Sequence, residues 1–340
     1  MLLSVIIPVY NVKNEIECLL NGLLEQDLNE VEIILVDDGS IDGSDLVCSK
    51  YSERNSNIKV LYQKNKGCYA ARQTALECAT GKYITFIDSD DIVDNTYTST
   101  IKEAIKKSGE FDIYVFGYKQ QYPKECLTFN NKNKEYNAKE YYQDILLNRI
   151  QGPFALWNHV YSKDFLKKNG ISFNTKYRKA GDAVFNDLCI MANPTIFTSK
   201  ENVYIWKCGH ESLTTKFEPT MWMTILEHEK NLEEMYKVFC DTIDLRKELS
   251  KKRWYYFNYL FNNIRESNLK VKEKRDNYNI ILKENLNKED IKYNLGGLRY
   301  WMVYLAYQYN NPIFLYLWYY TYLGSWRVKL VKLLKKVIKK

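Results

Sequence analysis

Two periodicities alternate along the first 120 residues. Short runs of β-branched and other apolar residues are separated by stretches in which apolar residues recur at helical spacing. The pattern predicts five strands, at Leu2–Val9, Val31–Val36, Ile58–Tyr62, Tyr83–Ile87 and Asp112–Tyr118. It predicts four helices between them, at Glu15–Glu25, Ser44–Tyr51, Tyr69–Ala79 and Thr96–Lys107. Apolar strands that alternate with helices are typical of βαβ units, so we expect an α/β fold with a mostly parallel sheet and helices on both faces.

The pattern changes after residue 120. Residues 122–136 are polar and predict a loop, and a mixed segment follows them. Beyond Pro219 the apolar residues return to helical spacing. The sequence therefore predicts three regions: residues 1–120, residues 121–218, and a helical, aromatic-rich region over residues 219–340.

The net charge of +7 comes from the end of the chain. The sequence has 49 Lys and Arg residues against 42 Asp and Glu residues, and Ser325–Lys340 holds seven of the basic residues and no acidic one. The rest of the chain is balanced, so net charge gives no support to a nucleic-acid-binding surface. On a helix, this tail places apolar residues on one face and lysines on the other, which is typical of a helix lying on an anionic membrane. A solvated basic helix, or one docked on an acidic partner, is the alternative.

An uncharged stretch rich in Tyr, Trp, Leu and Phe lies between Arg299 and Arg327. Asn310, Asn311 and Pro312 divide it into two apolar pieces, each too short for a membrane-spanning helix, which needs about 20 residues. The stretch predicts a contact with the membrane interface, the aromatic core of a helical subdomain, or the interface of a homodimer. The sequence leaves these three interpretations open.

The cysteines and the N-terminal sequence indicate in which cellular compartment the protein lies. The eight cysteines form no Cys-x-x-Cys pair, which indicates reduced thiols in a cytosolic protein. The N-terminal MLLSVIIPVYN lacks the basic start of a secretory signal peptide and predicts a buried strand instead. We expect a cytoplasmic protein that is peripheral at the inner face of the cell membrane.

Acidic clusters follow two of the predicted strands, DDGS at residues 37–40 and DSDD at residues 88–91. Ligands of open α/β sheets bind beyond the carboxyl ends of the strands, although either cluster alone could be an ordinary turn. Asp88 and Asp90 flank a single residue, so both carboxylates can reach one ion. This spacing favours Mg²⁺ or Mn²⁺ shared with a substrate diphosphate. The sequence contains neither a Walker-type nor a dinucleotide-binding glycine loop to hold the phosphates instead.

Five ordered motifs carry a resemblance to a known family. They are PVYN at residues 8–11, VDDGS at 36–40, Asn-x-Gly followed by Ala-Arg within 65–72, TGK at 80–82 and FIDSDD at 86–91. Together they resemble the family-2 glycosyltransferases of GT-A fold, which include bacterial capsule, teichoic-acid and lipopolysaccharide side-chain transferases. The resemblance is strong over residues 1–120 and fades after about residue 214.

The resemblance implies a role for residues in these motifs. The residues that would bind a nucleotide-diphosphate sugar are Pro8, Val9, Tyr10, Asp38, Arg72, Asp88 and Ser89. Asp90 and Asp88 would hold Mg²⁺ or Mn²⁺, with His210 as a further candidate ligand. The Glu-Asp pair that usually supplies the catalytic base appears here as Gly181-Asp182. Asp182 would therefore be the base, with Asp187 as the fallback and a purely structural position at a helix N-terminus as the alternative.

The remaining implications concern the acceptor and the reaction. Trp157 and His159 would lie on the acceptor side, with ordinary packing as the alternative, and residues 1–120 and 121–218 would be the donor-binding and acceptor-binding halves. The implied activity is inverting transfer of a hexosyl or N-acetylhexosaminyl group from a UDP-sugar to a hydroxyl of a glycan or lipid-linked acceptor in cell-surface polysaccharide synthesis. A nucleotidyltransferase, or an inactive sugar-nucleotide-binding module, is the alternative. The glycine-rich loop of a nucleotidyltransferase is missing after the first predicted strand, where PVYNVKNE stands.

Overall fold

A computed structural model of the protein describes residues 1–208, 218–240, 242–270, 272–274, 276, 277 and 279. The strands are Leu3–Val9 (β1), Val31–Asp37 (β2), Ile58–Tyr62 (β3), Tyr83–Phe86 (β4), Ile92–Val93 (β5), Ile113–Gln121 (β6), Cys126–Phe129 (β7), Lys134–Asn137 (β8), His159–Ser162 (β9) and Thr195–Lys207 (β10). The helices are Lys13–Leu24 (α1), Ser44–Arg54 (α2), Cys68–Cys78 (α3), Tyr97–Ser108 (α4), Ala138–Leu146 (α5), Lys163–Lys168 (α6), Gly181–Met191 (α7), Met221–Phe239 (α8) and Ile243–Glu266 (α9). The strands and helices predicted for the first 120 residues are confirmed, with ends that differ by at most three residues.

The described strands join one sheet, in the order β3-β2-β1-β4-β9-β6-β10-β5, with β7 paired to β6 and β8 paired to β10. β1 is parallel to β2 and to β4, and β2 is parallel to β3. β9 lies between β4 and β6 and is antiparallel to both. The predicted α/β class is confirmed, but the sheet is mixed: the pairs β1–β2, β1–β4, β2–β3 and β6–β10 are parallel, whereas β5, β7, β8 and β9 pair antiparallel with their neighbours.

The two central parallel strands, β1 and β2, are buried on both faces. Every residue of β2 is buried, and in β1 only Pro8 is partly exposed. Successive side chains of a strand point to opposite faces, so continuous burial means that helices and loops cover both sides of the sheet. This is why the sequence of these strands is mostly apolar instead of alternating.

Apart from Asp37 at its last position, Glu32 is the exception to the apolar composition of β2. Its side chain is 1% exposed. Its oxygens accept hydrogen bonds from the Ser4 hydroxyl, the Thr80 backbone N–H and the Lys59 ammonium group, each at 2.6 Å. A buried carboxylate is costly unless it is paired and hydrogen-bonded, and this arrangement ties β1, β2, β3 and the loop before β4 together.

Residues 122–136 contain strand residues where the sequence predicts a loop. β7 pairs antiparallel with β6, and β8 pairs antiparallel with β10. Three of the four residues of β7 are exposed, as are three of the four residues of β8. Backbone hydrogen bonds can hold a strand at the margin of a sheet even when the strand has no apolar face. The polar sequences of β7 and β8 therefore give no strand signal.

The chain divides into two compact units. The described residues of the first are 1–208 and 230–240, and those of the second lie at 218–229 and from 242 onward, so α8 belongs partly to each. In the second unit, the ring of His228 packs edge-on against Tyr256 with 4.4 Å between centroids. The predicted division at residue 120 lies inside the first unit, and the donor-binding and acceptor-binding labels stay predictions. Within the part of the chain that the structure describes, no helix is both long enough and apolar enough to cross a membrane.

Candidate active site

The candidate site lies at the carboxyl ends of β1, β2 and β4. β1 is flanked by β2 on one side and by β4 on the other, so the order of the strands reverses beside it. Such a switch point leaves a crevice at the carboxyl edge of an open α/β sheet. Because these three strands are parallel, both predicted acidic clusters emerge at the same edge. The structure thus brings the two strand-end clusters together, as the sequence predicts.

Arg72 connects three parts of this edge. It lies in α3 and is 4% exposed. Its Nη2 lies 2.5 Å from Oδ1 of Asp88, in the loop after β4, and its Nη1 lies 3.0 Å from Oδ1 of Asp182, in the first turn of α7. Three of the predicted site residues therefore form one ion-paired group, although Arg72 and Asp182 are 110 positions apart in the sequence.

The electrostatics of this group follow from burial and from the number of carboxylates. Burial raises the pKa of Asp88, and the carboxylates of Asp182 and Asp90 raise it further against the opposing effect of Arg72. Burial alone would lower the pKa of Arg72, but the two carboxylates outweigh it and raise that pKa well above its usual value. Negative charge is thus concentrated at this edge, and Arg72 is a permanent cation within it.

Asp90 and Asp88 fit a divalent cation by the chemistry of their ligand atoms. Both offer carboxylate oxygens, the ligands that Mg²⁺ and Mn²⁺ prefer. Among the described residues, no group of three or more His, Cys, Asp or Glu side chains is placed to hold a metal by itself. A cation held by this pair would therefore take its other ligands from water and substrate phosphates, as Mg²⁺ commonly does. His210 lies outside the described residues.

Asp91 and Tyr204 hold the candidate site in place, and neither is among the site residues that the sequence predicts. The Tyr204 hydroxyl donates to Oδ2 of Asp91 at 2.8 Å and accepts from the backbone N–H of Asp88 at 3.1 Å. The backbone N–H of Lys207 donates to the other oxygen of Asp91 at 2.8 Å. Burial raises the pKa of Asp91 to about 8. These bonds attach the DSDD segment to β10, and the FIDSDD motif is the one sequence signal that points to Asp91.

Asp38 lies buried, and its carboxylate organises a loop. It accepts hydrogen bonds from the Gln63 side chain at 2.6 Å and from the backbone N–H groups of Lys66 and Gly67 at 2.8 and 2.7 Å. These bonds set the path of residues 63–67 into α3, the helix that carries Arg72. In the structure, Asp38 supports the loop that leads into α3. The predicted contact of Asp38 with a nucleobase stays a prediction.

The other predicted donor-side residues differ in their exposure. Tyr10, directly after β1, is 48% exposed, so its ring can stack on a planar ligand. Pro8 is partly exposed, whereas Val9 and Ser89 are buried. The carbonyl oxygen of Val9 accepts from the backbone N–H of Asp38 at 2.8 Å and joins the ends of β1 and β2. The resemblance implies that Val9 contacts the donor directly, but the side chain of Val9 is not exposed.

Trp157 and His159 both pack inside the first unit. Trp157 stacks on Tyr204 with 4.7 Å between ring centroids and an angle of 12°. His159 is 2% exposed, lies in β9 and hydrogen-bonds through Nδ1 to the side-chain oxygen of Asn158 at 2.8 Å. Burial lowers the pKa of His159 to about 3, so the ring is neutral. The structure supports the packing alternative for His159, and the acceptor-side role of Trp157 stays a prediction.

Asp182 and Asp187 lie in the same helix in different surroundings. The Asp182 side chain is 28% exposed and faces Arg72. Asp187 is fully buried and accepts a hydrogen bond from the Asn231 side chain at 3.2 Å. Only Asp182 is open to a ligand, so the structure gives the fallback residue no access to an acceptor. The position of Asp182 in the first turn of α7 also matches the structural alternative, because a carboxylate is favourable at a helix N-terminus.

Comparisons with known proteins agree with this geometry. Residues 4–169 match the family model "Glycosyl transferase family 2". The chain is 30% identical over 242 residues to the glycosyltransferase EpsJ of Bacillus subtilis, covering 69% of this chain and 68% of EpsJ. It is 42% identical over 91 residues to TuaG of the same organism, named as a teichuronic acid biosynthesis glycosyltransferase, covering 26% of this chain and 36% of TuaG.

Two solved structures show the same fold. Residues 1–349 of S. aureus TarS, in complex with UDP, superpose with a TM-score of 0.71 at 20% identity, covering 92% of this chain and 89% of that chain. The mannosyltransferase PcManGT of Pyrobaculum calidifontis, in complex with GDP-Man and Mn²⁺, gives a TM-score of 0.53 at 14% identity, covering 92% and 86%. These structures share the fold, and the relation to EpsJ together with the family match confirms the resemblance that the five motifs predict: the chain belongs to glycosyl transferase family 2.

Proposed function

We propose that the protein transfers a sugar, with inversion at the anomeric carbon, from a UDP-sugar to a hydroxyl of a glycan or lipid-linked acceptor in the synthesis of a cell-surface polysaccharide. The transferred group would be a hexosyl or N-acetylhexosaminyl unit. The observation that carries the proposal is the Arg72 bridge between Asp88 and Asp182. This bridge joins the guanidinium group of Arg72, which suits a leaving diphosphate, to the carboxylate of Asp182, which suits an acceptor hydroxyl.

Asp182 would act as the general base. The acceptor oxygen attacks the anomeric carbon, the bond from that carbon to the diphosphate oxygen breaks, and the nucleoside diphosphate leaves with the bonding electrons. The hydroxyl proton passes to the carboxylate of Asp182, whose side chain is 28% exposed. Such proton transfer contributes about 10²–10⁴-fold to a rate. A single displacement of this kind inverts the anomeric configuration.

Arg72 would stabilise the charge that develops on the diphosphate. Its guanidinium group is already held by two carboxylates, so little reorganisation is needed when the donor binds. Asp90 and Asp88 would hold Mg²⁺ or Mn²⁺ beside it. When bound, the cation supplies Lewis-acid stabilisation of the leaving group. The resemblance makes Asp90 the direct ligand, whereas Asp88 binds Arg72 through its Oδ1.

The donor and acceptor classes rest on the relatives. TarS was solved with UDP, and TuaG is named for teichuronic acid biosynthesis, so UDP and a surface polysaccharide are the first choices for this chain. The metal rests on the strand-end carboxylates, with the Mn²⁺ complex of PcManGT as support. Tyr10, whose ring is half exposed, would stack against the nucleobase.

The C-terminal tail would attach the protein to an anionic membrane. This part of the proposal rests on the sequence, since residues 325–340 lie outside the described residues. Each Lys or Arg near an anionic surface adds about 1 kcal/mol of binding, and seven are present. Attachment at the inner face of the cell membrane would bring the enzyme to lipid-linked acceptors.

A screen of sugar nucleotides tests the reaction. The full chain is incubated with each donor in Mg²⁺ or Mn²⁺, and release of nucleoside diphosphate is measured with and without acceptor glycans. Slow hydrolysis of one donor identifies the class and the donor, and NMR of the product reports its anomeric configuration. Formation of a sugar nucleotide from a sugar phosphate and a nucleoside triphosphate would indicate a nucleotidyltransferase. Donor binding without turnover would indicate an inactive module.

Two matched variants test the base. Asp182→Asn should keep donor affinity and lower kcat by about 10²-fold or more, because the amide cannot take up the acceptor proton, although its oxygen can still accept a hydrogen bond from Nη1 of Arg72 in place of the ion pair. Asp164→Asn removes the same charge from an exposed position on α6 and should leave kcat unchanged. Equal kcat values for the two variants would refute the assignment of Asp182.

A further inference from the structure

Tyr69 lies directly behind the Arg72 bridge. It is the second residue of α3 and is 4% exposed. Its hydroxyl oxygen accepts a hydrogen bond from the backbone N–H of Gly181 at 2.8 Å. Gly181 is the first residue of α7 and precedes Asp182, so this bond holds the turn on which the proposed base is mounted. The N–H groups of a first helical turn have no partner within their own helix, and Tyr69 provides one.

The tyrosine ring also excludes a side chain at position 181. A Cβ atom built on Gly181 would lie 2.8 Å from Cζ of Tyr69 and 3.0 Å from Cε1 and Cε2. Carbon atoms in contact are separated by about 3.5–4.0 Å, so one group must move. The glycine is required by the neighbouring ring, since its own backbone is outside the left-handed region.

Neighbouring groups on two sides fix the ring. It stacks on Phe173 with 6.1 Å between centroids and an angle of 26°. The guanidinium carbon of Arg72 lies 5.2 Å from its centroid, within the range of a cation–π contact. A side chain at position 181 would therefore push the start of α7 away, together with Asp182, or push the ring into Arg72.

We propose that Tyr69 is a positioning residue that sets the distance between Asp182 and Arg72, and that Gly181 is its obligatory partner. The hydroxyl fixes the first turn of α7, and the ring supports the guanidinium group from behind. The pair also accounts for the glycine at position 181, where the resemblance leads one to expect glutamate. This inference rests on the proposed function, because it concerns the geometry of the proposed base.

Steady-state kinetics of matched variants test the pairing. Tyr69→Phe keeps the ring and loses the hydrogen bond, and should lower kcat about threefold to tenfold with an unchanged KM for the donor. Gly181→Ala should lower kcat about 10²-fold, because a shift of the base by about 1 Å has that effect. In the background of Tyr69→Ala, which removes the ring, Gly181→Ala should change kcat by less than about threefold.

A control separates positioning from stability. Tyr142→Phe removes a buried hydroxyl of α5 that donates to the carbonyl oxygen of Leu232 in α8 at 2.6 Å and makes no bond to Gly181. It should lower the midpoint of thermal unfolding as much as Tyr69→Phe does, while kcat stays at the wild-type value. A fall in kcat for both variants in proportion to lost stability would overturn the positioning role.

Hydrogen exchange tests the contact without using activity. The Gly181 amide should exchange faster in Tyr69→Phe than in the wild type, and should be unchanged in Tyr142→Phe. If the penalty of Gly181→Ala is the same with and without the Tyr69 ring, or if the amide exchanges at the wild-type rate in Tyr69→Phe, the inference is wrong. If the wild type turns over no donor but the exchange result holds, the contact is real and the proposed function has failed.

Discussion

Replacement of Arg72 by methionine should affect stability and catalysis together. Methionine keeps much of the side-chain volume and removes both ion pairs. Removal of one partner of a buried ion pair costs about 3–5 kcal/mol, because a charge is left buried without compensation. Here the guanidinium is buried, but the carboxylates of Asp88 and Asp182 are 32% and 28% exposed. Water can replace part of the lost hydrogen bonding, so we expect the free energy of unfolding to fall by about 2–4 kcal/mol.

The catalytic effect should be of the size seen when one charge-stabilising donor is lost. We expect Arg72→Met to lower kcat by about 10²–10³-fold. Arg72→Lys keeps the charge, but an ammonium group cannot reproduce the planar fork that bridges two carboxylates. Its stability should therefore lie between those of the wild type and Arg72→Met, and its kcat should stay well below the wild-type value.

Urea unfolding and donor hydrolysis measure the two effects, and Arg149→Met is the control. Arg149 lies 2.9 Å from Asp144, but its side chain is 64% exposed. Exposed pairs contribute about 1 kcal/mol or less, so this variant should unfold near the wild-type midpoint and keep its kcat. Equal destabilisation by Arg72→Met and Arg149→Met would show that burial of the Arg72 ion pairs does not increase their contribution to the free energy of unfolding. Wild-type kcat in Arg72→Met would remove Arg72 from the mechanism.

Three further outcomes are expected. Asp90→Ala should fold normally and lose nearly all transferase activity, and EDTA should inactivate the wild type; undiminished turnover in either case would remove the metal from the proposal. Burial would raise the pKa of Glu32, but hydrogen bonds from Lys59, Ser4 and Thr80 lower it from 4.5 to about 2. Its stabilisation is therefore complete above pH 4.5 and is lost as the pH falls towards 2, so the free energy of urea unfolding should fall between pH 7 and pH 3 by about 2 kcal/mol more in the wild type than in Glu32→Gln. The full chain should float with anionic liposomes and dissociate in high salt, whereas a chain ending at Leu323 should float less; equal flotation would leave the tail without a membrane role.

The sequence predicts the first half of the sheet well because burial on both faces leaves a strong local signal. β1 and β2 are apolar over their whole length apart from Ser4, Glu32 and Asp37, and the helices between the strands show their own spacing. The strand-end carboxylates also follow from the sequence, since the carboxyl ends of parallel strands share one edge. For these features, local pattern and global fold agree.

β9 shows what local pattern cannot supply. Its four residues, HVYS, are too few for a periodicity, and the strand is held by backbone pairing with β4 on one side and β6 on the other. The Arg72–Asp182 pair and the Tyr69–Gly181 contact depend in the same way on elements more than 100 positions apart. Individual residue types give no signal for such partners, so only the folded chain reveals them.

The arrangement of β9 also bears on how the two proposed halves work. β6 runs across residue 120, and β9, from the proposed acceptor half, lies between two strands of the proposed donor half. Residues 1–120 alone would therefore lack the strand that joins β4 to β6, and Arg72 would lack its partner on α7. A donor bound at the strand ends would meet Asp182 only because the acceptor half is built into the same sheet. In the proposed function, donor binding and proton abstraction would be coupled through this shared sheet, and the predicted boundary at residue 120 lies inside one compact unit.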